Sequence, residues 1–462
     1  MSIVSKSTPV EAIDSSITKR YVLNRDVKYR RERFGGVAVN VGSQAARFYN
    51  TSAARILELC IQSLTEQEIL ARLGKVSVHD DEVSAFLRAL TQQGILEETS
   101  ALGKSSARTF FTDVTDFPSE ALFSPLAVEI ETTLKCRRAC TYCSYESGVS
   151  IDTTDELTTF QWLETLQKLD VAGVFYLRFT GGDPLVRQDF PRVLEAADQI
   201  GLILAVSSDL TGLTESQAQV LSKTRNLYAV QTTLDGAEQN TADRFRGHGN
   251  YSSVTRGLKL LRSYGVPVSV GTVVTRSNFQ EIGKIGRRVR DLGVLRYGIS
   301  PLYPVGRGRE MLAQVPTNEE MGVAMRQFRE LVRAGIVEPA DPAWLSIADS
   351  LPDEEFDHLV DDQPFLARQP DRILRIGSAG DCYTSVKLKE VLHENMFVGN
   401  IIKQDIQELW RGSPLLRQLR ALSREPSYFG NVVDVRSIAP ALTTVRQPEV
   451  AHFRVESEAL NG

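Results

Sequence analysis

Residues 126–143 read LAVEIETTLKCRRACTYC, a short apolar run that leads into a loop carrying three of the chain's five cysteines. The run at 126–131 is the first of six, the others lying at 174–180, 202–208, 227–234, 267–274 and 296–302, and an amphipathic helical pattern follows each. This alternation implies parallel strands joined by right-handed helical crossovers. Six such units suit an open partial barrel better than a flat nucleotide-binding sheet. The expected fold class is therefore α/β, a partial (βα)6 TIM-like barrel. Parallel α/β folds bind ligands at the C-terminal ends of their strands, and the cysteine loop falls at such an end.

Outward from the barrel, the 462 residues leave room for two or three domains. The first 18 residues are polar and unpatterned and read as a flexible arm. A winged-helix-like α+β domain is expected over 19–98. Its strands are read at 19–26, 28–34 and 36–41. Its helices are read at about 45–61, after the capping box Thr65-x-x-Glu68, and along the face of Val83, Phe86, Leu87 and Leu90, ended by Gly94. A linker at 99–123, the barrel at 124–310 and a C-terminal extension at 311–462 complete the division, with helices expected at 318–334 and 405–422. Cys60 sits among Ile56, Leu57 and Ile61 and reads as a small buried hydrophobe.

Composition narrows the partners. Lys and Arg number 53 against 58 Asp and Glu, a net charge of −5, which offers no electrostatic case for nucleic acid or an anionic membrane. No apolar run approaches the roughly 18 to 20 residues of a membrane helix, and the opening MSIVSKSTPVEAIDSS lacks a secretory signal's apolar stretch. A cytoplasmic location is expected.

Cys136, Cys140 and Cys143 have the spacing C-x3-C-x2-C. Three thiolates can hold three irons of a [4Fe-4S] cube and leave the fourth open to the amine and carboxylate of a small molecule. Structural zinc is the competing reading, but it wants four ligands, and neither Cys60, Cys382 nor the five histidines show paired spacing. A redox dithiol at Cys140 and Cys143 would leave Cys136 idle.

On these residues the chain resembles the radical S-adenosylmethionine (SAM) enzymes, whose signature has this spacing with an aromatic residue, here Tyr142, before the third cysteine. The resemblance implies one [4Fe-4S] cluster and S-adenosyl-L-methionine as cofactors, with Tyr142 near the adenine and an external reductant such as a flavodoxin or ferredoxin. Thr180-Gly181-Gly182-Asp183-Pro184 is similar to the family's GGEP motif, which holds the cofactor's amino group; Asp183 stands for Glu, and the glycines let a ligand reach the backbone. Ser208 and Asp235, at the ends of the third and fourth strands, resemble ribose-lining positions, and Arg246 a contact to the cofactor carboxylate. Helix capping and a solvated surface charge are the competing readings for these three.

Residues 20–98 resemble the precursor-recognition domain of ribosomal peptide maturation pathways, in which a leader peptide adds as a strand to a sheet edge. That edge is expected from Gly36 to Val41. A DNA-binding winged helix is the alternative, and Asp80, Asp81 and Glu82 oppose phosphate contact. The segments Gly377 to Cys382, Gly399-Asn400-Ile401 and Glu408-Leu409-Trp410 resemble an auxiliary-cluster extension that has lost nearly all its cysteines. One thiolate cannot hold a cluster. Without that electron sink a redox-neutral outcome follows, and the chain resembles radical peptide epimerases. The implied reaction is hydrogen abstraction from a peptide α-carbon by the cofactor-derived radical, with Cys382 as the catalytic thiol that returns hydrogen; an inert buried cysteine is the competing reading. The alternatives are a crosslinking maturase, forming C–C or thioether bonds, and a zinc-stabilised, non-catalytic peptide- or DNA-binding regulator.

Overall fold

The structure, a computed structural model, describes residues 19–43, 45–74, 80–111, 121–340, 373–384 and 397–422. The expected arm at 1–18 and the last forty residues lie outside this set. The chain divides into two compact units, one of residues up to Asn40 with Arg47–Phe111, the other of Val41–Ala46 with the residues after Phe111.

In the smaller unit, β1 (Arg20–Leu23), β2 (Val27–Glu32), β3 (Gly35–Asn40) and β4 (Ala45–Asn50) precede α1 (Thr51–Leu59), β5 (Leu64–Thr65), α2 (Glu66–Leu73), α3 (Asp80–Gln92), β6 (Leu96–Thr99) and β7 (Arg108–Phe110). The strands form two sheets, ordered β5-β1-β6 and β4-β3-β2-β7. Thr65 and Glu68 close the expected capping box. Tyr29, Leu57, Cys60, Ile69 and Leu87 share one core, and burial pushes the Cys60 thiol up to about 12.

Two expectations need correction here. The helix expected from residue 45 begins at Thr51, because the Asn50 side chain accepts a hydrogen bond from Ala53 N at 2.9 Å and so caps it. Residues 45–50 instead form a strand, and β3 is bonded on both sides, to β2 and β4. The stretch from Gly36 to Val41 is therefore no edge; the outer strand is β4. Gly35 permits the approach: its φ is +143°, and a Cβ there would stand 2.0 Å from the Tyr49 carbonyl oxygen.

The larger unit is a ten-stranded sheet with helices. Its elements are β8 (Ala127–Thr133), α4 (Thr159–Val171), β9 (Tyr176–Gly181), α5 (Phe190–Gln199), β10 (Ile203–Ser207), α6 (Glu215–Lys223), β11 (Leu227–Thr233), α7 (Gln239–Arg246), α8 (Asn250–Ser263), β12 (Val268–Val274), α9 (Ile282–Asp291), β13 (Arg296–Pro301), α10 (Asn318–Arg333), β14 (Glu338–Pro339), β15 (Ile373–Ile376), β16 (Asp381–Tyr383), β17 (Phe397–Asn400), α11 (Ile406–Gly412) and α12 (Pro414–Leu422). The six apolar runs are β8 to β13, parallel throughout and joined by helices, an α/β fold consistent with the partial TIM-like barrel. The helix expected at 405–422 divides at Ser413-Pro414, since proline opens a helix readily but cannot continue one.

The extension is not a separate layer. β15 pairs in parallel with β8, and β16 and β17 follow antiparallel, giving the order β14-β13-β12-β11-β10-β9-β8-β15-β16-β17. Along β8, Val128 and Ile130 enter the core shared with α4 residues Trp162 and Leu166. Alternation turns Glu129 and Glu131 to the opposite face. There Glu129 pairs with Arg178 of β9 at 3.3 Å and with Arg375 of β15 at 2.7 Å. Burial opposes the charged carboxylate, yet the two guanidinium groups outweigh it and hold the Glu129 carboxyl below its ordinary value.

Candidate active site

The cysteine loop leaves the C-terminal end of β8 and is tied back on itself, Cys136 N donating to Gly148 O at 2.9 Å. All three thiols are partly exposed. Burial, then the neighbouring Asp209 carboxylate, pushes the Cys136 thiol up to about 12; its Sγ lies 3.6 Å from Asp209 Oδ2. Burial also raises Cys140, opposed by Arg246. Such thiols ionise readily only beside a strong positive charge, which iron would supply. Among the described residues no three His, Cys, Asp or Glu side chains converge on a point that would hold a single metal ion. Structural zinc needs four converging ligands, whereas a four-iron cube takes each thiolate at a separate iron. The donor set fits the cube.

Gly181 and Gly182 lie against this loop. Gly181 has φ +109°, and a Cβ on it would stand 2.4 Å from Thr133 O; a Cβ on Gly182 would stand 2.1 Å from Lys135 O. Gly182 N donates to Thr133 O at 2.7 Å and Asp183 N to Lys135 O at 3.0 Å. The glycines thus let the chain's own cysteine loop approach. The Asp183 carboxylate accepts from Leu185 N and from Ser208 Oγ, each at 2.9 Å. Burial and then Asp209 raise its carboxyl to about 7, against the pull of those two donors.

Tyr142, Asp235 and Arg246 form a second cluster. The Asp235 carboxylate accepts from Tyr142 Oη, from Arg246 Nε at 2.7 Å and from Val273 N at 2.9 Å. The Arg246 guanidinium stands over the Tyr142 ring, 5.2 Å from its centroid. Asn278 fixes the same strand end, donating to Asp235 O at 3.0 Å. Arg246 is therefore not a solvated surface charge, and Asp235 does not simply cap α7. Every expected cofactor residue falls in one of these two clusters.

Cys382 is not brought to them. It pairs directly across from Ile376 on β15, so it shares that residue's helix-facing side of the sheet, fully buried in the core with Trp162 and Trp410. Burial raises its thiol well above the ordinary value, and its Sγ lies 3.6 Å from Gly380 O.

Three residues that hold the loop escaped the sequence reading. Asp209 touches Cys136 and accepts from Thr211 N at 2.6 Å. Arg138 donates to Thr211 Oγ1 at 2.7 Å and Ser253 Oγ at 3.1 Å. Arg307 donates to Cys140 O and Ser147 O, each at 2.8 Å. Nothing in the sequence shows what these three side chains reach.

Residues 130–289 match the radical SAM superfamily model and are a radical SAM domain. The chain is similar to an AdoMet-dependent heme synthase of Oleidesulfovibrio alaskensis, 27% identical over 298 residues, 63% of this chain and 75% of that protein. It is likewise similar to the mycofactocin maturase MftC of Mycobacterium tuberculosis, 27% identical over 302 residues, 65% of this chain and 73% of that one. Among solved structures, Streptococcus suis SuiB bound to its precursor peptide SuiA has a fold similar to 87% of this chain and 90% of its own, with TM-score 0.60 and 14% identity. Radical SAM enzymes use a [4Fe-4S] cluster and S-adenosylmethionine, and these are the cofactors of this domain. No described helix is long and apolar enough to cross a membrane.

Proposed function

We propose that this chain, whose residues 130–289 are a radical SAM domain, modifies a ribosomally made precursor peptide. Cys136, Cys140 and Cys143 would each hold one iron, and Tyr142, Gly181, Gly182, Asp183, Ser208, Asp235 and Arg246 would surround the cosubstrate. When bound, cluster and S-adenosylmethionine supply a carbon radical able to abstract hydrogen. Asp235 orients Tyr142 and Arg246 as one unit, and Asp183 fixes Ser208 at the next strand end.

The observation that carries the peptide reading is the smaller unit. Its outer strand β4 ends at α1, and Tyr49 of that strand stands edge-on to Phe86 of α3 at 6.2 Å between centroids. An extended leader added there would gain main-chain hydrogen bonds from β4 and side-chain contacts beside α3. The acidic first turn of α3 disfavours nucleic acid. The likeness to peptide-bound SuiB, which extends beyond the domain itself, supports the same reading. The test is cofactor cleavage and product mass with intact precursor, with core peptide alone, and with leader added in trans. Leader dependence is expected; equal turnover of leaderless core would overturn the reading.

For the outcome we read epimerisation. Cys382 is the one cysteine of the extension, so an auxiliary cluster has no ligands there to take up an electron. In that outcome Cys382 would return a thiol hydrogen to the α-carbon on the face opposite the one that lost its hydrogen, and the external reductant would restore the thiol with one electron and one proton. In heavy water deuterium should enter the inverted α-carbons, and Cys382→Ala should abolish inversion while cofactor cleavage persists. The placement of Cys382 on the helix-facing side favours a second reading, crosslinking, which needs no thiol from the enzyme. A product lighter by two hydrogens, without deuterium uptake, selects it.

A further inference from the structure

The segment from Cys140 to Ser147 is clasped by the turn that follows β13. Gly306 has φ +57°, and a Cβ there would stand 2.6 Å from both Cys143 O and Ser144 O, so this turn lies directly on the cysteine loop's backbone. Arg307 N then donates to Cys143 O at 3.1 Å. The Arg307 side chain spreads over the same segment, Nε to Cys140 O and Nη2 to Ser147 O, both at 2.8 Å. One residue thereby holds the carbonyls of two expected iron ligands and of Ser147, the neighbour of the Gly148 that closes the loop. Arg309, two positions on, braces the same turn: its Nε donates to Gly306 O at 2.9 Å and its Nη2 pairs with Glu146 of the clasped segment at 2.9 Å.

We propose that Arg307 is a positioning residue for the cluster: it fixes Cys140 and Cys143 at the spacing the cube needs and places a fixed positive charge beside it. The proposal rests on the cluster reading of the three cysteines. The planar guanidinium suits this task, since it bridges two carbonyls at once, which a lysine ammonium on a single flexible stem cannot do in the same geometry. Its charge has a further effect. A cation beside an iron–sulfur cube favours the reduced form, so its removal moves the midpoint potential downward.

The experiment compares full-length wild type, Arg307→Ala, Arg307→Lys and Arg225→Ala, the last an exposed arginine just ahead of β11 at the strand end away from the cysteine loop, each reconstituted without oxygen. The readouts are iron and sulfide per chain, the rate of iron loss to a chelator, the midpoint potential, and the electron paramagnetic resonance spectrum of the reduced cluster. Arg307→Ala should lose iron about tenfold faster or more, as expected for losing charge-assisted hydrogen bonds, and its potential should fall. Arg307→Lys should recover the potential but not the slow iron loss, a split that a general folding defect would not produce. Arg225→Ala should match wild type. Should Arg307→Ala fail to fold, the lysine variant carries the test alone through the same split. Wild-type iron retention and potential in Arg307→Ala would overturn the proposal by itself, while a wild-type chain that takes up no iron would overturn it together with the cluster reading.

Discussion

Adding one methyl group at Gly182 tests whether its glycine serves the cosubstrate or the loop. A Cβ there meets only main chain: Lys135 O at 2.1 Å, Lys135 C at 2.6 Å and Leu134 C at 2.8 Å. No side chain can swing aside, so Gly182→Ala must push the start of the cysteine loop away from β9. Overpacking of this kind costs roughly 1–3 kcal/mol. The shift also strains the bonds from Gly182 N to Thr133 O and from Asp183 N to Lys135 O, each worth about 0.5–1.5 kcal/mol net. Together the apoprotein should lose roughly 2–6 kcal/mol, the upper end if both bonds break. Gly148→Ala, in the same loop but with nothing within 4 Å of its Cβ, is the control and should stay within about 0.5 kcal/mol. Denaturant unfolding followed by tryptophan fluorescence reads the difference, because Trp162 and Trp410 are both buried in the larger unit. Iron uptake on reconstitution should fall in Gly182→Ala and hold in Gly148→Ala. If Gly182→Ala instead keeps wild-type stability and full iron but no longer binds S-adenosylmethionine, the glycine serves the ligand and the packing argument is wrong.

Asp235→Asn should destabilise the larger unit by about 3 kcal/mol or more, since it strips the counter-charge from a largely buried Arg246, and should weaken cosubstrate binding; thermal melts and equilibrium dialysis check the two parts. Arg187, bonded to both oxygens of Asp189 at 2.8 and 2.7 Å, holds that carboxyl down at about 2, so the stability it adds is present above the unfolded value of about 3.9 and disappears as pH falls toward 2. The stability gap between wild type and Asp189→Asn should therefore close between about pH 5 and pH 2, and a gap that persists below pH 2 counts against it. In the iron-free folded protein, iodoacetamide should label Cys136, Cys140 and Cys143 well before the buried Cys60 and Cys382; labelling of Cys382 ahead of Cys60 without unfolding is what hydrogen return by its thiol requires, and protection of Cys382 until the chain unfolds counts for crosslinking instead.

The barrel was readable because strands covered on both faces are nearly continuous in Val, Ile, Leu and Phe, as in 174–180 and 202–208, and stand apart from the helices that follow. The cysteine trio was readable from spacing alone. β4 was not, because ARFYN runs into TSAARILEL without a turn residue other than Asn50, so a helical pattern can be extended backwards across it. β15 to β17 are three or four residues each, too short for a periodicity, and only β15 joins the barrel strands, through β8, a partner remote in sequence, with β16 and β17 added beyond it. Arg307 and Arg138 act on main-chain carbonyls and hydroxyls, a task that leaves no pattern in a single sequence. The Gly181-Gly182 pair was noticed for the right property, backbone approach, and its neighbour turned out to be the chain itself.

The pairing of Ile373 with Ala127 also bears on how the molecule is made. A ribosome releases β8 early, yet one flank of that strand waits until nearly all the remaining sheet has been synthesised before its hydrogen-bonding mate arrives. Throughout that interval a buried-type strand, with Glu129 lacking the guanidinium of Arg375, is open to the wrong neighbour. Chains cut short after the sixth apolar run should accordingly aggregate, and heterologous production should favour slow translation at low temperature over attempts to express the catalytic core alone.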